Sequence, residues 1–236
     1  MSGNRHSIGF GDIDMGTVSR WMALDPAADG PVWMVNLMKY RPVARYSDGR
    51  ATTLSGKEAD DAYAPLGPLA AVGAMVALHG DVVDQSAGQP QWDRVAIVRY
   101  PSRRSFFEMQ QRDDFKKQYV HKEAGMDFTI VMGCRPAVLS GPPPAGAPLV
   151  VRIRRFAPGA RPGPDPAGTV PVARFSVDGV VIGDQRAWDD VCLDAAGPEG
   201  PAAFNGTEGV EEQMIVSMTP AIDALVRSVE TAPEPD

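Results

Sequence analysis

An α+β fold of the split βαβ, ferredoxin-like kind is predicted by three features of the sequence. One strand pattern has no wet face, residues 31–140 read as strand, helix, strand, strand, helix, strand, and a fainter run of the same order follows a Pro/Gly-rich break. In Val32–Tyr40 (VWMVNLMKY), Val32, Met34 and Met38 alternate with Trp33, Val35 and Leu37, so both faces of the strand must be covered. Ser55 and Glu58 form a capping-box pair that opens a helix toward Ala71, bent near Pro65 and Pro68. Residues 75–83 give a second strand, and residues 92–100 (WDRVAIVRY) a third that stops at Pro101. Ser102 caps a helix carrying Phe106, Phe107 and Met109. Residues 113–124 continue as helix, with Phe115 and Tyr119 one turn apart, until Gly125. Residues 128–134 (FTIVMGC) form the fourth strand.

The second half repeats this pattern faintly. Residues 180–191 echo residues 82–95, with Trp188 and Asp189 matching Trp92 and Asp93. A helical stretch holding a phenylalanine and a closing apolar segment, ALVRSVET, then stand where FTIVMGCR stands in the first half. Residues 149–156 (LVVRIRRF) supply its first strand, but a Pro/Gly loop, PGARPGPDPAG, replaces the helix expected next. The resulting division is an N-terminal tail and helix over 1–30, a ferredoxin-like domain over 31–140, a linker over 141–148, a degenerate second copy over 149–231 and a tail over 232–236. Met15, Val18, Trp21 and Met22 have helical spacing, and their helix is expected to cover the sheet left bare by the missing one.

Composition narrows the function classes. The 236 residues carry 23 basic and 30 acidic side chains, a formal charge of -7, which opposes a general role on nucleic acid or anionic membranes. The longest apolar run, residues 69–78, is too short to span a bilayer, and the first ten residues lack a signal-peptide core, so a cytoplasmic protein is expected. Cys134 and Cys192 stand far apart with no CxxC spacing and no nearby histidine, which suits buried free thiols rather than a metal site. No GxSxG, P-loop, HExxH or EF-hand pattern occurs, and Gly9, Gly11 and Gly16 follow no strand. Asn205-Gly206-Thr207 reads as a turn.

The set VWMVNLMKY, WDRVAIVRYPSRRSFFEM and DDFKKQYVHKEAGM resembles the dimeric α/β-barrel superfamily, in its uncharacterised branch typified by VNL, WDxVxxVxYPS and HKxAGM motifs, over residues 10–136. The resemblance implies two four-stranded sheets closing an α/β barrel with helices outside. The barrel would be made by a homodimer or, if the second half is a copy, by an internal pseudo-dimer. It implies the company of small cofactor-free enzymes such as lactone isomerases, polyketide cyclases and quinone-forming monooxygenases, and of haem proteins of the chlorite-dismutase kind.

Candidate chemistry rests on few residues. His121, near a helix end, and His79, at the polar end of the second strand on the face of Met75 and Ala77, are the candidate proton-transfer groups. Asn36 is a single amide in an apolar strand and must find a partner, in a ligand or in backbone. Tyr63, Tyr100 and Tyr119 offer phenol donors, or serve as core aromatics. Arg94 and Lys122 could bind a carboxylate or enolate, although surface ion pairing also accounts for Arg94. Arg152, Arg154 and Arg155 alternate with apolar residues and read as a wet strand face. The expected activity is that of a cofactor-independent isomerase, cyclase or monooxygenase, acting on a small apolar or aromatic metabolite between sheet and helices, with no metal. The alternative is a non-catalytic module that binds a hydrophobic ligand or dimerises, and a haem reading requires an axial ligand such as His121 on a helix facing the pocket.

Overall fold

The computed structural model describes residues 5–143, 147–160, 163–195, 204 and 208–230. The elements are β1 (Arg5–Ser7), β2 (Asp12–Asp14), α1 (Met15–Met22), β3 (Val32–Tyr40), α2 (Gly56–Ala62), α3 (Leu66–Ala71), β4 (Met75–Ala87), β5 (Arg94–Tyr100), α4 (Arg103–Gln111), α5 (Asp113–Gly125), β6 (Met126–Leu139), β7 (Leu149–Phe156), β8 (Val170–Gly183), β9 (Asp190–Ala195), β10 (Val210–Asp223) and α6 (Leu225–Glu230). Asp14 caps α1, Ser55 and Glu58 complete the capping box of α2, and Ser102 caps α4, so these starts are set by local hydrogen bonds. No helix among the described residues is long and apolar enough to cross a membrane.

Eight strands close an antiparallel barrel within one chain, in the order β8-β6-β3-β5-β4-β10-β7-β9, with β9 returning to β8. The first-half strands stand as β6-β3-β5-β4 and the second-half strands as β10-β7-β9-β8. The interior is a packed core rather than a channel, filled by Trp33, Val35 and Leu37 of β3 with Ile97, Met132, Phe175, Leu193 and Met218. The opposite face of β3 turns Val32, Met34 and Met38 outward under the helices, which explains a strand with two apolar faces. Both cysteines are buried and free.

Asp93 and Asp189 make the same contacts in the two halves. Asp93 Oδ2 accepts from Tyr40 N at 2.7 Å, and Asp189 Oδ2 accepts from Phe156 N at 2.7 Å. The Asp93 amide donates to Met38 O and that of Asp189 to Arg154 O, at 2.9 and 2.8 Å. Each aspartate therefore pins the end of the first strand of its half. We expect Asp189→Ala to lower stability by about 0.5–1.5 kcal/mol, the net worth of a hydrogen bond whose donor water can reach once it is lost; urea denaturation measures it.

Several expectations are corrected. The closing strand is Val210–Asp223, whereas ALVRSVE forms α6, because Leu225 and Ser228 fall one helical turn apart. Leu225 enters the barrel core and Ser228 Oγ accepts from Trp33 Nε1 at 2.9 Å. Helix α1 reaches only the β8 edge of the second-half face: it straddles β6 and β8 beside α4, with Trp21 lying against Gly133 and Phe107 and Arg20 against Asp178, and does not cover the face of β7 and β10. That second-half face is instead covered by Asp165 of the Pro/Gly loop and by Phe204, which packs on Val150 and Ile215. Arg152 and Arg154 are consequently buried, not wet, and pair with Asp194, Asp165 and Asp190. The rest of the helical stretch expected around Phe204, and the Asn205-Gly206-Thr207 turn, lie outside the described residues, as do parts of the linker and the 232–236 tail.

Helices α2 and α5 cross where Gly56 meets Gly125, each backbone occupying the space a side chain on the other would need. Gly125→Ala should cost about 1–3 kcal/mol through overpacking, read by the same denaturation.

Candidate active site

Between the outer face of the first-half sheet and helices α2 to α5 lies a cavity of about 340 Å³. Its floor is a row across four strands: His79 of β4 pairs with Ala96 of β5, Ala96 with Asn36 of β3, and Asn36 with Val131 of β6. The methyl of Ala96 leaves room between His79 and Asn36, whose strands lie about 10 Å apart at the usual strand spacing. Helix α5 supplies the roof through Phe115, Tyr119 and Lys122, spaced to lie on one face. Phe106 and Met109 of α4 and Leu69 of α3 complete an apolar end, while Asp60, Asp61 and Arg94 make a polar one.

His79 reaches this floor by a β-bulge. Simple alternation puts it with Met75 and Ala77, but the register slips between Val76 and Leu78. Ala77 and Leu78 both enter the barrel core, and His79 emerges on the face of Val76, in the cavity wall. It has no hydrogen-bond partner among the described residues. Burial, and secondarily the Arg94 charge, holds its imidazole below the ordinary value, so it is neutral at neutral pH.

Arg94 is buried rather than superficial. Its Nε lies 2.8 Å from Asp81 Oδ1, and its Nη1 lies 2.7 Å from Asp61 Oδ1 and 3.2 Å from Asp60 Oδ2. Tyr40 donates to the same Asp60 oxygen at 2.5 Å. The other oxygen, Asp60 Oδ1, is buried without a partner. A buried carboxylate oxygen left so is costly.

Asn36 donates through Nδ2 to Met34 O at 2.8 Å and Ala96 O at 3.5 Å. Both partners only accept, so the amide presents its carbonyl oxygen, an acceptor, to the cavity. Of the two partners expected for Asn36, a ligand or backbone, backbone carbonyls take its amide nitrogen. The hydroxyl of Tyr100 is occupied by Met109 Sδ at 3.4 Å. Those of Tyr63 and Tyr119 have no partner among the described residues, and burial keeps both protonated, pushing Tyr119 up to about 12. Lys122 Nζ stands 5.3 Å over the Tyr63 ring with no hydrogen bond or ion pair among the described residues. Burial lowers its pKa against the opposing pull of Asp60.

Seven of the eight residues singled out from the sequence thus meet at one cavity: His79, Asn36, Tyr63, Tyr100, Tyr119, Arg94 and Lys122. His121 does not. One residue before Lys122, it turns about 100° around the helix and meets Tyr46, Nδ1 to hydroxyl 2.9 Å. His121 therefore does not supply the pocket-facing axial ligand named for the haem reading. Asp60 and Asp61 were missed; the available signal was that α2 buries Gly56, Ala59 and Asp60 at helical spacing, so that an acid shares the inward stripe. Among the described residues no group of three or more His, Cys, Asp or Glu is placed to hold a metal ion.

No family model and no curated protein matches the chain. Among solved structures it is similar to a protein of unknown function from Rhodopseudomonas palustris, at 27% identity and a TM-score of 0.43, covering 50% of this chain and 89% of that one. A putative monooxygenase from Lactobacillus acidophilus matches at 10% identity and TM-score 0.39, over 81% and 94% of the two chains. A mutant chlorite dismutase from Candidatus Nitrospira defluvii matches at 8% identity and TM-score 0.45, over 90% and 97%.

Proposed function

We propose that the chain is a small-molecule enzyme that moves a proton next to a carbonyl group, in the manner of a cofactor-independent isomerase, cyclase or monooxygenase, within the first-half cavity. The observation that carries this is His79: a neutral, unpartnered imidazole on the floor of an apolar cavity. A general base needs that state, and water exclusion strengthens every interaction around it. A substrate of apolar or aromatic character would lie between the Met34 and Val98 floor and the Phe115 and Tyr119 roof. Its α-proton would pass to His79, and the developing oxyanion would accept from the Tyr63 or Tyr119 hydroxyl, both of which burial keeps as donors. Arg94, locked by three carboxylates, would position Asp60 rather than bind substrate itself. His121, away from the cavity, has no part in the step.

In the same reading the second half is a ferredoxin-like copy of the first that has lost its site, making one chain an internal pseudo-dimer over domains 31–140 and 149–231. The shared strand order and the matching contacts of Asp93 and Asp189 support it. Where the first-half cavity is mostly apolar, the hollow in the second half is lined by the ion-paired Arg154, Arg174, Asp165 and Asp190.

The test is α-proton exchange in D2O, followed by NMR across a set of cyclic ketones, enones and lactones. Exchange that is saturable and dependent on His79 supports the proposal. Saturable binding without exchange would return the chain to the carrier reading. The pH profile has a defined sign: the free imidazole is the active form, so kcat/KM rises with pH through a step below the ordinary histidine value of about 6.5 and is level at neutral pH.

A further inference from the structure

We propose that Lys122 is a nucleophile that forms an imine with a carbonyl compound held in the cavity. This rests on the reading that the cavity accepts such a compound, and adds a covalent step to it. Three observations converge on this amine. It lines an enclosed, mostly apolar cavity from the last turn of α5. No anion neutralises it within hydrogen-bond reach among the described residues, unlike Arg94 and Lys57, which are both paired. The charge that acts on it is that of Asp60, which lines the same cavity.

The chemistry follows from that placement. Burial disfavours the ammonium, raising the fraction of free amine at neutral pH. The amine nitrogen bonds to the carbonyl carbon while the π pair moves to oxygen. A proton passes from nitrogen to that oxygen, giving a carbinolamine. The carbon–oxygen bond then breaks, and the oxygen leaves as water with the proton that the ammonium had first given up. The sum is ammonium plus carbonyl to iminium plus water. The iminium keeps the positive charge opposite Asp60 and acidifies the neighbouring C–H that His79 would take. His79, Tyr63, Tyr100, Tyr119, Asp60, Asp61 and Arg94 are the other titratable groups that line this cavity.

Reductive trapping tests this on the intact wild-type chain. Benzaldehyde with sodium cyanoborohydride at neutral pH converts an imine into a stable benzylamine, located by peptide mass mapping. Lys122 should be labelled faster than exposed Lys57, Lys116 and Lys117, because burial raises the fraction of its amine that is free. Lys122→Arg should remove that label and leave the exposed ones. Labelling of Lys122 no faster than the exposed lysines would overturn the proposal, and that result needs no variant to fold. The two readings fail separately. Loss of α-exchange with Lys122 labelling intact removes the proton-transfer reading alone, whereas His79-dependent exchange without labelling removes the imine alone.

Discussion

Replacing His79 by alanine is expected to lower the α-proton exchange rate by about 10²- to 10⁴-fold, the usual contribution of a positioned general base. Folding should be nearly unchanged, because the imidazole makes no hydrogen bond among the described residues and its removal leaves only a larger cavity already open to a ligand. The variant therefore separates chemistry from stability: exchange falls while the denaturation midpoint holds. His121→Ala is the matched control. Its ring meets Tyr46 at 2.9 Å on the side of α5 away from the cavity, so exchange should be unaffected. If the two variants behave alike, the proton-transfer role of His79 is wrong.

The second large effect concerns stability. Asp194→Ala is expected to destabilise the fold by about 3–5 kcal/mol, the cost of leaving a buried charge uncompensated. Asp194 is fully buried and accepts from Arg152 Nε at 2.9 Å and Nη2 at 2.7 Å, with Arg174 Nη1 2.7 Å from its other oxygen. Without it Arg152, also fully buried, keeps only Asp165, on the Pro/Gly loop. Denaturant midpoints at constant slope measure the change. Lys57→Ala, which breaks an exposed pair with Asp81, should shift stability by no more than about 1 kcal/mol. Burial pushes the Asp165 carboxyl up, but Arg152 and Arg174 outweigh it and hold the group below the ordinary range. Its contribution is therefore present above the unfolded value of about 3.9 and is lost as pH falls below it.

Local period alone determined a good deal of this protein. Alternation in VWMVNLMKY gives a strand covered on both faces and turns Asn36 the same way as Met34 and Met38. The spacing of Phe115, Tyr119 and Lys122 gives one face of α5, and serine caps give the starts of α2 and α4. These are decisions within one element, where a residue's direction follows from its neighbours a turn or a pleat away.

Contacts between distant segments decided the rest. The slip between Val76 and Leu78 is set by how β4 fits β5, and without it His79 would point into the packed barrel. A register shift inverts every side chain beyond it, and no alternation count contains it. Arg152 reads as solvated because Asp165 and Phe204, which pair with it and cover it, lie in a loop and a segment with no pattern of their own, and Arg154 because its partner Asp190 comes from another strand. Closure of the barrel in one chain depends on β8 meeting β9, and the partnerless oxygen of Asp60 on α2 exists because Tyr40 and Arg94, from two strands, both take its neighbour. Sequence pattern determined which residues share a face; only tertiary pairing decided which faces enclose a site, because enclosure is a property of segments that local period does not connect.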